Sequence, residues 1–451
     1  MNSFSHINNI YFLGIGGIGM SALARYFNAQ GIKVAGTDRH RSELTCNLEA
    51  EGISVLYSSE VEDIPQEIRE DKTSLIVYTP AISVKNPQYQ YFVAEAYTIK
   101  KRAQVLGDIT RGTKTLAVAG THGKTTTTAI LAHLLKHSGA KVSAFLGGIS
   151  ENYQSNLILS GNEVIVVEAD EYDRSFLHLA PNIAAITSMD ADHLDIYGEP
   201  QQLEESFRAF AGLLPSEGLL FYKKGLPLSG VSVAVEEDAD VSVRNLRIED
   251  GSYLFDLDLK GEFLRDFRFS LPGKHNLFNA ATALAMAIAF GTPKDLLKAA
   301  LADFRGVSRR FTYKIKTEKL VLIDDYAHHP EEIRAAHEAV RAMHPEKEVL
   351  AVFQPHLFSR TRDFAEEFAQ SLDLFDKVRL LDIYPAREEA MEGITSEWLL
   401  GKLKNKDSKL VGKEELVNEI KISGAPVIIM LGAGDIGEEV EKVKTALQGE
   451  N

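Results

Sequence analysis

The chain has 451 residues, of which 45% are apolar, enough for about three domains of roughly 100–200 residues, each with its own core. A formal net charge of -15 argues against a broad nucleic-acid footprint, which gathers Lys and Arg, although a local loop or lysine can still bind an anionic small ligand. The one cysteine, Cys46, excludes an internal disulfide; with no secretory start and no apolar run of the roughly 20 residues that span a bilayer, a soluble cytoplasmic protein without membrane insertion is expected.

Three strand–helix alternations predict three α/β units, bounded at 1–106, 107–312 and 313–451. The first opens on Ile10-Tyr11-Phe12-Leu13 and turns at once through Gly14-Ile15-Gly16-Gly17-Ile18-Gly19. Gly14, Gly16 and Gly19 satisfy G-x-G-x-x-G after a strand, and Asp38 ends the next strand. Such glycines allow a tight turn and close backbone approach, and the helix that follows offers unpaired N–H groups to a diphosphate. Gly14, Gly16, Gly17, Ile18, Gly19 and Asp38 are therefore candidate ligands of a dinucleotide or of a nucleotide sugar, which the loop alone does not separate.

The second unit opens on Thr115-Leu116-Ala117-Val118-Ala119 and runs into Gly120-Thr121-His122-Gly123-Lys124-Thr125-Thr126. The full G-x-x-x-x-G-K-[ST] pattern would need glycine at 118, where Val118 stands, so the loop is a compact variant. Its parts remain: backbone N–H groups for phosphates, Lys124 for the β- and γ-phosphates, and the Thr125 hydroxyl for Mg²⁺. Val164-Ile165-Val166-Val167 is an apolar strand ending in Glu168, the expected Mg²⁺ carboxylate, followed by Ala169-Asp170-Glu171. The strand Ile183 to Thr187 leads to Asp190-Ala191-Asp192-His193, which makes His193 a candidate metal ligand.

Between Lys223 and Leu271 alternating residues such as Tyr253-Leu254-Phe255-Asp256-Leu257 predict half-buried antiparallel strands inserted in the middle unit. Ala280 to Phe290 reads as a buried helix capped by Gly291. The third unit has strands at Leu320–Ile323, Val349–Phe353, Val378–Ile383 and Val427–Leu431, and Gly432-Ala433-Gly434-Asp435 reads as a strand–helix turn because it lacks a lysine. His328 and His329 point in different directions as neighbours and have no third spaced ligand, so zinc is not expected.

Taken together, G-T-H-G-K-T-T at 120–126, E-A-D-E at 168–171, A-D-H-L-D at 191–195 and G-K-H-N-L-F-N at 273–279 resemble the Mur ligase family over nearly the whole chain. G-I-G-G-I-G-M-S-A at 14–22, S-F-L-H-L at 175–179, D-D-Y-A-H-H-P at 324–330 and Q-P-H-L-F-S-R-T at 354–361 are similar to its alanine-adding branch. The resemblance implies a Rossmann-like first domain for a UDP-sugar, a central P-loop ATPase-like α/β domain and a Rossmann-like third domain for an amino acid. It further implies ATP- and Mg²⁺-dependent joining of L-alanine to UDP-N-acetylmuramate through an acyl phosphate, as part of peptidoglycan synthesis.

By the same resemblance Lys124, Glu168 and His193 are catalytic, and Thr125, Glu168 and His193 hold metal. ATP lies on Gly120 to Thr126 with Asn276, Asn279, Arg310 and Asp325, and the alanine faces Tyr326, His328 and Arg360. Some relatives carry Arg where this chain has Leu357, which leaves more of the carboxylate recognition to Arg360. Other branches use a carbamylated lysine after the metal histidine, but no lysine stands between His193 and Lys223. The competing readings are a sister ligase that adds a preformed peptide or extends folate, a nucleotide-binding regulator without turnover, and an NAD-dependent oxidoreductase. The last rests on Gly14 to Gly19 with Asp38 and leaves Lys124, Glu168 and His193 unexplained.

Overall fold

The computed structural model describes residues 4, 6–190, 197, 199–249, 251–386 and 388–449. Its strands form three sheets, one for each predicted α/β unit. The first comprises β1 (Asn9–Leu13), β2 (Lys33–Thr37), β3 (Ser54–Leu56), β4 (Leu75–Tyr78) and β5 (Thr98–Lys101), all parallel in the order β3-β2-β1-β4-β5. β1 is central and its neighbours lead away on opposite sides, so the glycine loop leaves the sheet at a topological switch point, where open α/β sheets take ligands.

The second sheet holds β6 (Lys114–Ala119), β7 (Val142–Ser150), β8 (Ser155–Leu159), β9 (Val164–Glu168), β10 (Ile183–Ile186), β11 (Leu219–Lys223), β12 (Val231–Val235), β13 (Val241–Glu249), β14 (Ser252–Leu259) and β15 (Glu262–Phe269). Their order is β15-β14-β13-β12-β11-β10-β6-β9-β7-β8. β6 lies between β9 and β10, parallel to both, so the lysine-bearing loop also leaves at a switch point. The segment read as an antiparallel insertion continues this sheet, and β11, β12 and β13 pair parallel. Only two residues separate β13 from β14 and β14 from β15, and connections that short join antiparallel strands. Alternation reports one covered face and does not fix strand direction, which is why the parallel pairs escaped it.

The third sheet contains β16 (Thr312–Lys316), β17 (Val321–Asp325), β18 (Val349–Phe353), β19 (Lys377–Leu380), β20 (Ser408–Leu410) and β21 (Val427–Leu431) in the order β16-β17-β21-β18-β19-β20. Only β16 runs antiparallel, on β17. The carboxyl ends of β17, β18 and β21 lie side by side, at Asp325, Phe353 and Leu431.

By packing, the chain divides into two compact units, Met1–Leu246 with Leu254–Arg268 and Phe278–Arg305, and Arg247–Tyr253 with Phe269–Leu277 and Gly306–Asn451. Within the first unit one apolar cluster runs from Phe12, Leu23 and Phe27 of the first sheet layer to Ala117, Phe145, Val167 and Ile186 of the second. The residue 106/107 boundary falls inside the helix Arg102–Thr110, whose buried side chains Ala103, Val105, Leu106 and Ile109 face inward. In the second unit alternate residues of β17, β18 and β21 enter two different clusters, Ile323, Ala351 and Ile429 on one face, Leu322, Leu350 and Ile428 on the other. Both faces are covered by helices, hence the wholly apolar strands. Each such buried Val, Leu or Ile contributes about 1.5–3 kcal/mol relative to exposure. No helix among the described residues is long and apolar enough to cross a membrane.

Candidate active site

The glycine loop after β1 is shaped by its glycines and by Asp38. Gly14 has φ +86°, a left-handed conformation that glycine adopts without strain, and the Gly14 and Ile15 N–H groups donate to Thr37 O at 2.8 and 3.0 Å. Gly16 N–H donates to Asp38 Oδ2 at 2.7 Å, and a Cβ on Gly16 would lie 2.8 Å from that oxygen. The other Asp38 oxygen accepts the Arg39 N–H at 2.7 Å, so the carboxylate ties the glycine loop to the turn after β2. Gly17 is the N-cap of the helix Ile18–Ala29 and no side chain caps it, which leaves the first N–H groups of that helix open to an anion. A Cβ on Gly19 would come within 2.9 Å of the Arg102 guanidinium, a basic residue at this loop that no motif signals.

The second loop is braced from β10. Gly120 and Gly123 have φ +131° and +84°. A Cβ on Gly123 would meet Asn279 Oδ1 at 2.6 Å, which brings one of the two predicted asparagines against the loop. Thr121 Oγ1 donates to Asp190 O at 2.8 Å, His122 N–H donates to Ser188 Oγ at 2.7 Å, and Thr187 Oγ1 donates to the carbonyls of His122 and Ala119. Thr187 and Ser188 were not anticipated, although polar residues at the carboxyl end of an apolar strand are a usable signal. Lys124 opens the helix Lys124–His137, with Thr125 and Thr126 buried behind it.

Glu168 ends β9, and its Oε2 accepts the Gly147 N–H at 3.0 Å. A Cβ on Gly147 would meet that carboxylate, so a side chain there would have to shift Glu168 away from the Gly147 N–H, and nothing in the local sequence announces this closeness. Lys124 Nζ is 2.8 Å from Glu171 Oε1. Burial on its own would depress the Lys124 pKa, but the carboxylates of Glu171, Asp170 and Glu168 outweigh it and hold the ammonium above its ordinary value. His193 and the whole 191–195 motif lie outside the described residues, and among those described no group of three His, Cys, Asp or Glu is arranged around a cation.

Asn276, which falls in the second unit, opens the helix Lys274–Phe290 with its Nδ2 donating to Pro272 O at 2.7 Å. In the same unit Arg309 and Arg310 place their guanidinium carbons 5.1 and 5.2 Å from the centre of the Tyr326 ring. Arg310 pairs with Glu332 at 3.7 Å, and Arg309 donates to Gly432 O at 2.5 Å. Burial pushes Asp325 up to about 6, against the opposing pull of Arg310 and of two backbone N–H donors.

The three predicted amino-acid ligands are joined by a fourth residue, His356. Its ring lies 5.8 Å from that of His328 and stacks on Tyr384 at 5.7 Å, and Arg360 Nη1 is 3.4 Å from its Nδ1. His328 Nδ1 in turn contacts Tyr326 O at 2.9 Å and Glu332 at 3.2 Å. Leu357 is buried with φ +70° and serves as the N-cap of the short helix Phe358–Asp363, which carries Arg360. His329 caps the helix Pro330–Met343 through the Glu331 N–H and packs on Phe364, a structural role. Gly432 and Gly434 pack against Gln354, whose Nε2 donates to Asp435 at 2.7 Å, a strand–helix turn as expected.

Three family models match the chain in order: "Mur ligase family, catalytic domain" over residues 9–114, "Mur ligase middle domain" over 118–287, and "Mur ligase, glutamate ligase domain" over 309–435. The UDP-N-acetylmuramate--L-alanine ligase of Christiangramia forsetii is 60% identical over 448 residues, covering 99% of both chains. The protein of the same name from Flavobacterium johnsoniae is 56% identical over 445 residues, again covering 99% of both. Among solved structures, the UDP-N-acetylmuramate-alanine ligase of Thermotoga maritima superposes with a TM-score of 0.84 at 28% identity, covering 98% of this chain and 100% of that one. With two switch-point loops, a lysine and carboxylate at the second, and matches that span the whole length, the chain belongs to the Mur ligase family.

Proposed function

We propose that this ligase joins L-alanine to the lactyl carboxylate of UDP-N-acetylmuramate with conversion of ATP to ADP and phosphate. The observation that carries the reading is identity of 60%, end to end, with a ligase of that name in a chain whose phosphate loop keeps its lysine. A carboxylate and an amine do not condense unaided in water. The carboxylate oxygen therefore attacks the γ-phosphorus, the bond to ADP breaks, and an acyl phosphate forms. The alanine nitrogen then attacks the acyl carbon, phosphate leaves, and the amine gives up a proton. The protein supplies positioning and charge, and no side-chain nucleophile is required.

In this reading the loop Gly14 to Gly19 holds the UDP-sugar diphosphate, with Asp38 fixing the loop's shape. Gly120 to Thr126 with Asn276, Asn279, Arg310 and Asp325 serve ATP, and Lys124 meets the charge of the transferring phosphoryl group. The Thr125 hydroxyl and the Glu168 carboxylate are hard oxygen donors of the kind Mg²⁺ takes, so the residues fit that ion, with His193 as the family's further ligand. Bound there, Mg²⁺ would neutralise charge on the phosphoryl oxygens. Tyr326, His328 and Arg360, with His356 between them, form the alanine site. A cytoplasmic enzyme fits the cytosolic substrates. The test is amino-acid-dependent ADP release with UDP-N-acetylmuramate: L-alanine should drive it, and release driven by a preformed tripeptide or by glutamate with folate instead overturns the assignment.

A further inference from the structure

The ammonium of Lys124 is fully engaged in the loop as it stands. It donates to Gly120 O at 2.7 Å, to Thr121 O at 3.3 Å and to Glu171 Oε1 at 2.8 Å. A lysine has three N–H donors, so a phosphate oxygen can reach this one only by replacing a partner. The two carbonyls belong to the loop that would wrap the phosphate. Glu171 is the replaceable partner, because an arriving phosphate carries negative charge that repels its carboxylate. Glu171 is itself fixed: its side chain is fully buried, and its own carbonyl accepts the Tyr197 hydroxyl at 2.6 Å. A carboxylate buried this deeply stays beside the loop when Lys124 turns to a phosphate, so its charge keeps competing for Lys124.

We propose that Glu171 is a positioning residue that acts as the resting counter-ion of Lys124, and that a nucleoside di- or triphosphate must displace it to bind. Glu171 thereby sets nucleotide affinity and draws the lysine back across the loop after each turnover. This rests on the reading of Gly120 to Thr126 as the nucleotide site.

The experiment is calorimetric titration of the full-length protein with Mg-ADP, in wild type, Glu171→Gln and Glu171→Asp, with melting curves to show that each is folded. Gln keeps the shape and removes the charge, whereas Asp keeps the charge and draws it back by one methylene. Both variants should bind ADP more tightly than wild type, by roughly threefold or more. Unchanged or weaker ADP binding by folded Glu171→Gln overturns the proposal. So does a wild-type value in Glu171→Asp, since that would make the effect one of charge at a distance and not of contact; if Gln fails to fold, the Asp variant decides on the same criterion. Failure of the wild-type protein to bind ADP would instead refute the nucleotide site itself.

Discussion

Asp325 and Phe311 are joined by a hydrogen bond of 2.8 Å from the Phe311 N–H to Asp325 Oδ2, while the other carboxylate oxygen accepts the Ala327 N–H at 2.8 Å. Phe311 and Arg309 both have positive φ, +50° and +60°, on either side of Arg310, and the Tyr326 N–H donates to Arg309 O at 2.6 Å. Left-handed non-glycine residues cost on the order of 1–3 kcal/mol each and persist only where the surroundings hold them. Asp325 is one of those holds, so it shapes the segment that presents Arg310. Replacing Asp325 with Ala should lower stability by on the order of 1–3 kcal/mol and reduce turnover, with Asn intermediate. Denaturant unfolding and ADP release check both; wild-type stability in Asp325→Ala would contradict this account.

His133 anchors the helix that starts at Lys124. Its Nδ1 accepts the Tyr153 hydroxyl at 2.9 Å, and its Nε2–H donates to Ala300 O at 2.9 Å. Burial, with the Ala300 contact opposing it, pushes its pKa down from 6.5 to about 4. Because the folded value is depressed, the neutral ring stabilises the fold fully above pH 6.5, and that contribution is lost as pH falls through about 4. The loss is on the order of 3 kcal/mol for a group this buried. Between about pH 7 and pH 4, wild type should lose more unfolding free energy than His133→Gln; parallel pH curves for the two proteins would rule out this origin.

The Lys124→Ala variant should keep its fold and lose turnover by on the order of 10²–10³, the usual effect of removing a preorganised charge from a reacting centre. Wild-type ADP release from the folded variant would remove Lys124 from the chemistry.

Asp38→Ala frees the Gly16 N–H from its 2.7 Å acceptor and loosens the first loop. The apparent KM for UDP-N-acetylmuramate should rise several-fold with the KM for ATP unchanged. Equal changes in both constants would point to a general loss of structure.

Arg360→Lys should raise the alanine requirement far more than the ATP requirement, because a guanidinium fork fits a carboxylate bidentately and an ammonium does not. A purely structural pairing with Asp363, which also accepts from Arg362 at 2.7 Å, is the alternative. Separate alanine and ATP titrations, with melting temperatures, distinguish the roles; an unchanged alanine dependence contradicts the carboxylate assignment.

Much of this arrangement is legible in the sequence because it is local. Both loops follow apolar strands directly, Glu168 ends one, and glycines stand where φ is positive, all of which periodicity and spacing encode. What is not legible depends on contacts between distant parts of the chain. Gly147 matters because Glu168 lies against it, Arg102 because Gly19 leaves it room, and His356 because the adjacent strands β17, β18 and β21 bring 328 and 356 together. The parallel pairing of β11 to β13 escaped for a related reason: burial alternation along a strand carries no information on the direction of its neighbour.

The most direct measurement of the central claim is the mass of the product formed when the protein is mixed with Mg-ATP, UDP-N-acetylmuramate and a pool of amino acids. The account predicts a single new nucleotide sugar heavier by one alanine residue, formed mole for mole with ADP and phosphate. A product carrying another amino acid or a peptide, or ADP release with no change in the nucleotide sugar, would contradict it.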